Sequence, residues 1–118
     1  MVNQLPSRLD GVFHALADPT RRGMLRALAL QARSVGELAA PYAMSLAAAS
    51  KHVKVLERAG LVRRTVEGRT HWCRLESGPL AEAQAWIQFY EQFWSGRLDA
   101  LEQALRDADA SPNKRKSR

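Results

Sequence analysis

Apolar positions recur at helical spacing through most of the chain, and each run is preceded by a side chain suited to cap it. Leu9, Val12, Phe13 and Leu16 form the first stripe, with Ser7 and Asp10 placed ahead of it as a capping box. Asp18 followed by Pro19 restarts the chain, since Asp caps and Pro fits the first helical position; Met24, Leu25 and Leu28 then mark a second core face. Ser34 with Glu37 opens a short helix from Val35 to Ala40 that Pro41 stops. After a turn over Pro41 to Met44, Ser45 caps a further helix that runs to Ala59, and Gly60 closes it. On this helix Ala49, Val53 and Leu56 fall on one flank, while Ala47, Lys51, Lys54 and Arg58 gather on the other.

The period then changes. Leu61 to Val66 and Arg69 to Leu75 are rich in β-formers, and Glu67 and Gly68 between them read as the two-residue loop of a hairpin. That loop sets Val62 opposite Cys73 and places Arg63, Thr65, Thr70, Trp72 and Arg74 on the other side. Gly78 and Pro79 open a last helix that runs to about Ala108. Its apolar residues, from Leu80 to Leu105, cover close to half the helical circumference, wider than the stripe of roughly 100° that one packing partner needs. Trp86, Phe89, Tyr90, Phe93 and Trp94 therefore read as core plus a dimer seam, with a small-molecule pocket as the alternative.

The fold class is mainly α with a small β-hairpin. A short helix, a turn of about four residues and a longer helix with a cationic face is the helix-turn-helix arrangement, whose second helix enters the DNA major groove. Charge sharpens this reading. The formal net charge is +6, but residues 45–75 carry seven basic and two acidic side chains, whereas residues 76–110 carry two and seven. A basic half beside an acidic helix suits one surface for a polyanion and another for protein. Arg21, Arg22 and Arg26 read either as a solvated face or as supporting phosphate contacts.

A chain of 118 residues is one domain's worth, with residues 1–110 as the folded domain and 111–118 as a disordered basic tail; residues 1–6 read as a frayed arm. Cys73 is the only cysteine, so no intrachain disulfide forms, and it reads as a small core residue rather than a redox or ligand group. No leader and no apolar run near eighteen residues is present, so no membrane partner and a cytoplasmic location are expected. Nothing pairs a nucleophile with a base, two acids, or a Gly-rich loop with a phosphate, so an enzyme is not expected.

The stretches Leu16–Arg22, Val35–Ala39 and Met44–Val62 closely resemble the ArsR/SmtB-like winged-helix transcriptional regulators, and the likeness extends from Phe13 to Leu105. It implies a winged helix-turn-helix of about five helices and a two-stranded wing. It also implies a homodimer, most commonly a repressor, on a near-palindromic double-stranded operator. Carried over by position, Ala47, Ala48, Ser50, Lys51, His52 and Lys54 face DNA; Ser45, Arg58 and the wing residue Arg69 complete the expected DNA-binding set. Phe13 and Leu16 with Trp86, Phe89, Tyr90, Phe93, Trp94, Leu98 and Leu101 form the expected dimerisation set.

The departures matter too. Metal-sensing members carry Cys before the turn or His and acidic ligands on the terminal helix; here the former stretch has no Cys and the latter no His, and His14, His52 and His71 lie in three different elements. No metal and no cofactor is expected, and the effector is of unidentified chemistry. Ala47 and Ala48 stand where the family usually has polar residues, leaving direct readout to few side chains plus methyl contacts with thymine. They also leave open a second reading, a protein-interaction module with only non-specific DNA affinity.

Overall fold

The starts of the first four helices are built by the side chains that the pattern singled out. In the computed structural model, which describes residues 7–110, Ser7 and Asp10 form a reciprocal capping box on α1 (Arg8–Leu16), with both bonds at 3.1 Å. Asp18 caps α2 (Pro19–Leu30), and Ser34 and Glu37 form the box on α3 (Val35–Ala39). Ser45 caps α4 (Leu46–Arg58). The terminal arm and the basic tail expected from sequence lie outside the described residues.

The chain divides after Ala83 into two units. The first holds α1 to α4, a small sheet and the first turn of α5 (Gly78–Ala110). Its core joins Val12 and Ala15 of α1, Met24 and Leu28 of α2, Leu38 of α3 and Ala49, Val53 and Leu56 of α4. Leu56, Val53 and Leu61 are fully buried, and each such side chain contributes roughly 1.5–3 kcal/mol. Cys73 is buried in the same cluster, and burial pushes its thiol up from the ordinary range, as expected for a core residue.

The hairpin is present as β2 (Val62–Glu67) and β3 (Thr70–Leu75), but its register differs from the expected one by two residues. Val62 pairs with Leu75, and Cys73 faces Arg64. The loop is Gly68 and Arg69 rather than Glu67 and Gly68, because Gly68 takes φ +63° and no other hairpin residue is left-handed. Positive φ at the first central position alone is the type II′ pattern, which wants Gly there. A two-residue shift preserves side-chain parity, so Arg63, Thr65, Thr70, Trp72 and Arg74 share one side as expected. The sheet also gains a third strand: β1 (Arg33–Ser34) pairs antiparallel with β3, giving the order β1-β3-β2.

Gly23 in α2 is a close-approach position. A Cβ there would overlap the Tyr42 hydroxyl and stand 3.3 Å from its Cζ, so the turn between α3 and α4 rests on the bare backbone of α2. Ordinarily Gly→Ala inside a helix stabilises by about 1 kcal/mol. Here Gly23→Ala is expected to destabilise by about 1–3 kcal/mol, the cost of overpacking, and Tyr42→Phe in the same chain is expected to recover most of that loss. Urea denaturation of the two single variants and the double variant checks both signs.

Candidate nucleic-acid interface

Helix α4 is fixed at both ends before its faces are considered. The Ser45 hydroxyl accepts from the Ala48 N–H at 3.1 Å. At the other end Gly60, at φ +78°, lets Leu61 donate to the Leu56 carbonyl and Gly60 to that of Glu57, both at 2.9 Å. This is the Schellman closure, and it turns the chain directly into β2.

Around its axis α4 presents four sectors. Ala49, Val53 and Leu56 face the core. Directly opposite, Ala47, Lys51, Lys54 and Arg58 are exposed, as the helical wheel requires. Two long-range polar contacts hold the flanks between these faces.

On one flank, His52 meets the N-terminus of α2. Its Nδ1 lies 3.3 Å from Arg21 Nη1 and 4.0 Å from an Asp18 carboxylate oxygen. A guanidinium has only hydrogens to give, so the Arg21 contact requires Nδ1 to accept. The same Arg21 donates through Nε to the Ala15 carbonyl at 2.8 Å and through Nη2 to that of His14 at 3.1 Å. Arg22 donates to the Leu16 carbonyl at 2.7 Å. Arg21, half-buried, and Arg22, exposed, are therefore both engaged: they donate to carbonyls at the end of α1. Arg26 is exposed. The Asp18 carboxyl accepts the Arg21 N–H at 3.0 Å, and that bond, aided by the charge of Arg21, holds it below the usual carboxylate range against partial desolvation.

On the other flank, Glu57 accepts from Arg64 Nη2 on β2 at 2.7 Å, and the Arg64 side chain is only 17 % exposed. Its Nη1 lies 3.4 Å from His71 Nδ1 on β3. The hairpin is thus tied to α4 through one arginine. Between them a cleft of about 410 Å³ is bordered by Leu46 and Ser50 of α4, Arg64 of β2, and Arg69, Thr70 and His71 at the far end of the hairpin.

Of the residues expected at DNA, Ala47, Lys51, Lys54 and Arg58 lie together on the exposed face, and Arg69 is exposed at the hairpin tip. Ser45 is exposed with its hydroxyl engaged as the cap, and Ser50 is half-buried at the cleft. Ala48 and His52 are half-buried on the α2 flank, away from the cationic face. The roles of Arg21 and Arg64 were not legible, because their partners lie in other elements. Leu46, 61 % exposed at the start of α4, was also passed over. Among the described residues no three His, Cys, Asp or Glu side chains gather as a metal would require, and no helix is long and apolar enough to cross a membrane.

The expected dimerisation set falls in both units. Phe13 and Leu16 are half-buried against the core of the first. In the second, the helix beyond Ala83 carries Trp86, Phe89, Tyr90, Phe93, Trp94, Leu98 and Leu101 with between 42 and 60 % of each exposed. Its rings interlock along the helix, Phe89 and Tyr90 edge-on at 4.8 Å and Trp86 and Tyr90 at 4.9 Å between centroids.

Residues 16–65 match the family model of a helix-turn-helix domain. The HTH-type transcriptional regulator Rv2034 of Mycobacterium tuberculosis is 34 % identical over 96 residues, covering 81 % of this chain and 87 % of that protein. The crystal structure of the ArsR family transcriptional regulator RHA00566 is 38 % identical at a TM-score of 0.71, over 80 % of this chain and 97 % of that one. The homodimeric winged helix-turn-helix DNA-binding domain of Mb0332 from Mycobacterium bovis is 28 % identical at a TM-score of 0.56, over 88 % and 82 %.

Because the folded Asp18 carboxyl titrates below its unfolded value, its charge stabilises the α1–α2–α4 junction above the ordinary carboxylate pKa. That contribution declines as pH falls through the lowered value. Asp18→Asn keeps a capping oxygen without the charge. The stability difference between wild type and Asp18→Asn is expected to be constant from neutral pH down to about pH 4–5 and to shrink below it. Denaturant melts across that range check this, and a difference that widens on acidification would contradict it.

Proposed function

Since the chain belongs to the ArsR family of winged helix-turn-helix transcriptional regulators, we propose that it binds double-stranded DNA sequence-specifically as a homodimer and represses transcription from a near-palindromic operator. One observation carries the reading. The face of α4 directly opposite the core is bare and presents Lys51, Lys54 and Arg58 beside small residues at its leading end. A helix of that shape fits the major groove, with cations reaching the phosphate walls and small side chains permitting close approach. Arg69 at the wing tip, sharing a cleft with the start of α4, supplies a backbone contact beyond the groove.

The dimer is supported by the exposed aromatic face of α5 and by the homodimeric Mycobacterium bovis relative. Nine large apolar side chains left open on one helix favour a second copy as their cover. Two copies related by a twofold axis place two α4 helices on a site with matching symmetry. The location proposed is the cytoplasm, where the DNA is. Regulation is metal-independent in this reading, through an organic, redox or protein effector.

Lys51→Ala is expected to weaken binding to a selected operator by about 1–3 kcal/mol if the ammonium touches a base edge, or to lower the salt slope by about one if it touches phosphate. Fluorescence anisotropy across a salt series separates the two, and unchanged affinity with unchanged slope removes Lys51 from the interface. Phe93→Asp places a charge in the proposed seam, and Phe93 is 56 % exposed within its own chain, so the variant is expected to fold and run as a monomer. Light scattering on a sizing column checks this; an unaltered dimer would take Phe93 out of the seam.

A further inference from the structure

We propose that Leu46 is a specificity-determining residue that reads the C5 methyl group of a thymine in the operator, so that a T·A pair is selected where the leading end of α4 meets the groove floor. The inference rests on the DNA-binding reading above and adds to it a residue and the base it chooses.

A single exposed leucine is ordinary on a protein surface. Leu46 differs in where it stands. It is the first residue of α4 and 61 % exposed, whereas Ser50 and Glu57, which follow it on the same side of the helix, are half-buried. Helical side chains lean toward the N-terminus, so Leu46 projects off the leading end, the part of a recognition helix that contacts base edges. It borders the cleft that also holds Arg69, Thr70 and His71 of the wing. Lys51 and Lys54 on one side and Arg69 on the other are placed to grip phosphates, which would press the end between them against the bases.

The chemistry of that end is largely apolar. The Ser45 hydroxyl is engaged with the Ala48 N–H, Ala47 has only a methyl, and Ala48 is turned to the α2 flank with His52. Beyond the O–H that Ser45 keeps, only the side chains of Ser50 and Lys51 offer hydrogen bonds in the first turn and a half. The one apolar group on the major-groove edge of any base is the thymine methyl. Against the edge of A, G or C, the leucine would strip water from donors and acceptors without replacing it. Preference and rejection thus both come from one side chain.

The test uses the full-length protein and a duplex recovered from a random library by its own binding. Each thymine is replaced singly by deoxyuridine, which lacks only the methyl, and anisotropy is measured for wild type, Leu46→Ala and Leu46→Gln. Losing the methyl at one thymine per half-site is expected to weaken wild type about fourfold, the worth of one buried methyl, and to weaken Leu46→Ala less than twofold. Leu46→Gln is expected to recover a different base at that position on reselection. Because Leu46 is exposed, both variants should melt with wild type. Full methyl sensitivity retained in Leu46→Ala, or wild type indifferent to every methyl while still sequence-specific, overturns the assignment and leaves the regulator reading standing. Failure to recover any preferred duplex overturns both.

Discussion

Helix α4 has to be buried on one face and bare on the opposite face, and the rest of the first unit follows from meeting both conditions at once. Burial of Ala49, Val53 and Leu56 fixes its depth, yet apolar contacts are non-directional and set neither rotation nor tilt closely. Direction comes from the two flanks, where hydrogen bonds with narrow geometry run from Arg21 to His52 and from Arg64 to Glu57. Without them the cationic face would remain, but its aim would be loose.

Each flank contact also carries a second load. Arg21 closes the end of α1 while it meets α4, so the first helix, the capped start of the second and α4 share one guanidinium. Arg64 ties the wing to α4 and pairs in register with buried Cys73, whose thiol is pushed up by its burial. Cations in this chain therefore divide into two kinds. Arg21, Arg22 and Arg64 are bonded to other elements of the fold, while Lys51, Lys54, Arg58 and Arg69 stand exposed.

That division was not legible in the sequence, where all seven look alike. What was legible is local. Ser7, Asp18, Ser34 and Ser45 start helices because each meets an N–H three residues on, and Gly60 ends one because the Schellman turn needs a left-handed residue; both rules act within one turn of chain. The hairpin was legible in existence and in facing, but its register moved by two because Gly68 serves as the first central turn residue, not the second. The third strand was invisible, since two residues, Arg33 and Ser34, carry no pattern and pair only because β3 offers an open edge. The bare face of α4 was read correctly from helical spacing, whereas Ala48 and His52 were grouped with it by resemblance and lie on its α2 flank.

The most direct test of the account is fluorescence anisotropy of the full-length protein on the DNA upstream of its own gene and on a scrambled duplex of equal length, across a salt series with and without chelator. The account predicts tight binding to the first and much weaker binding to the second, both indifferent to chelator. Equal and weak binding to the two duplexes, falling steeply with salt, would contradict it, because charge alone would then be acting and the shape of the α4 face would select nothing.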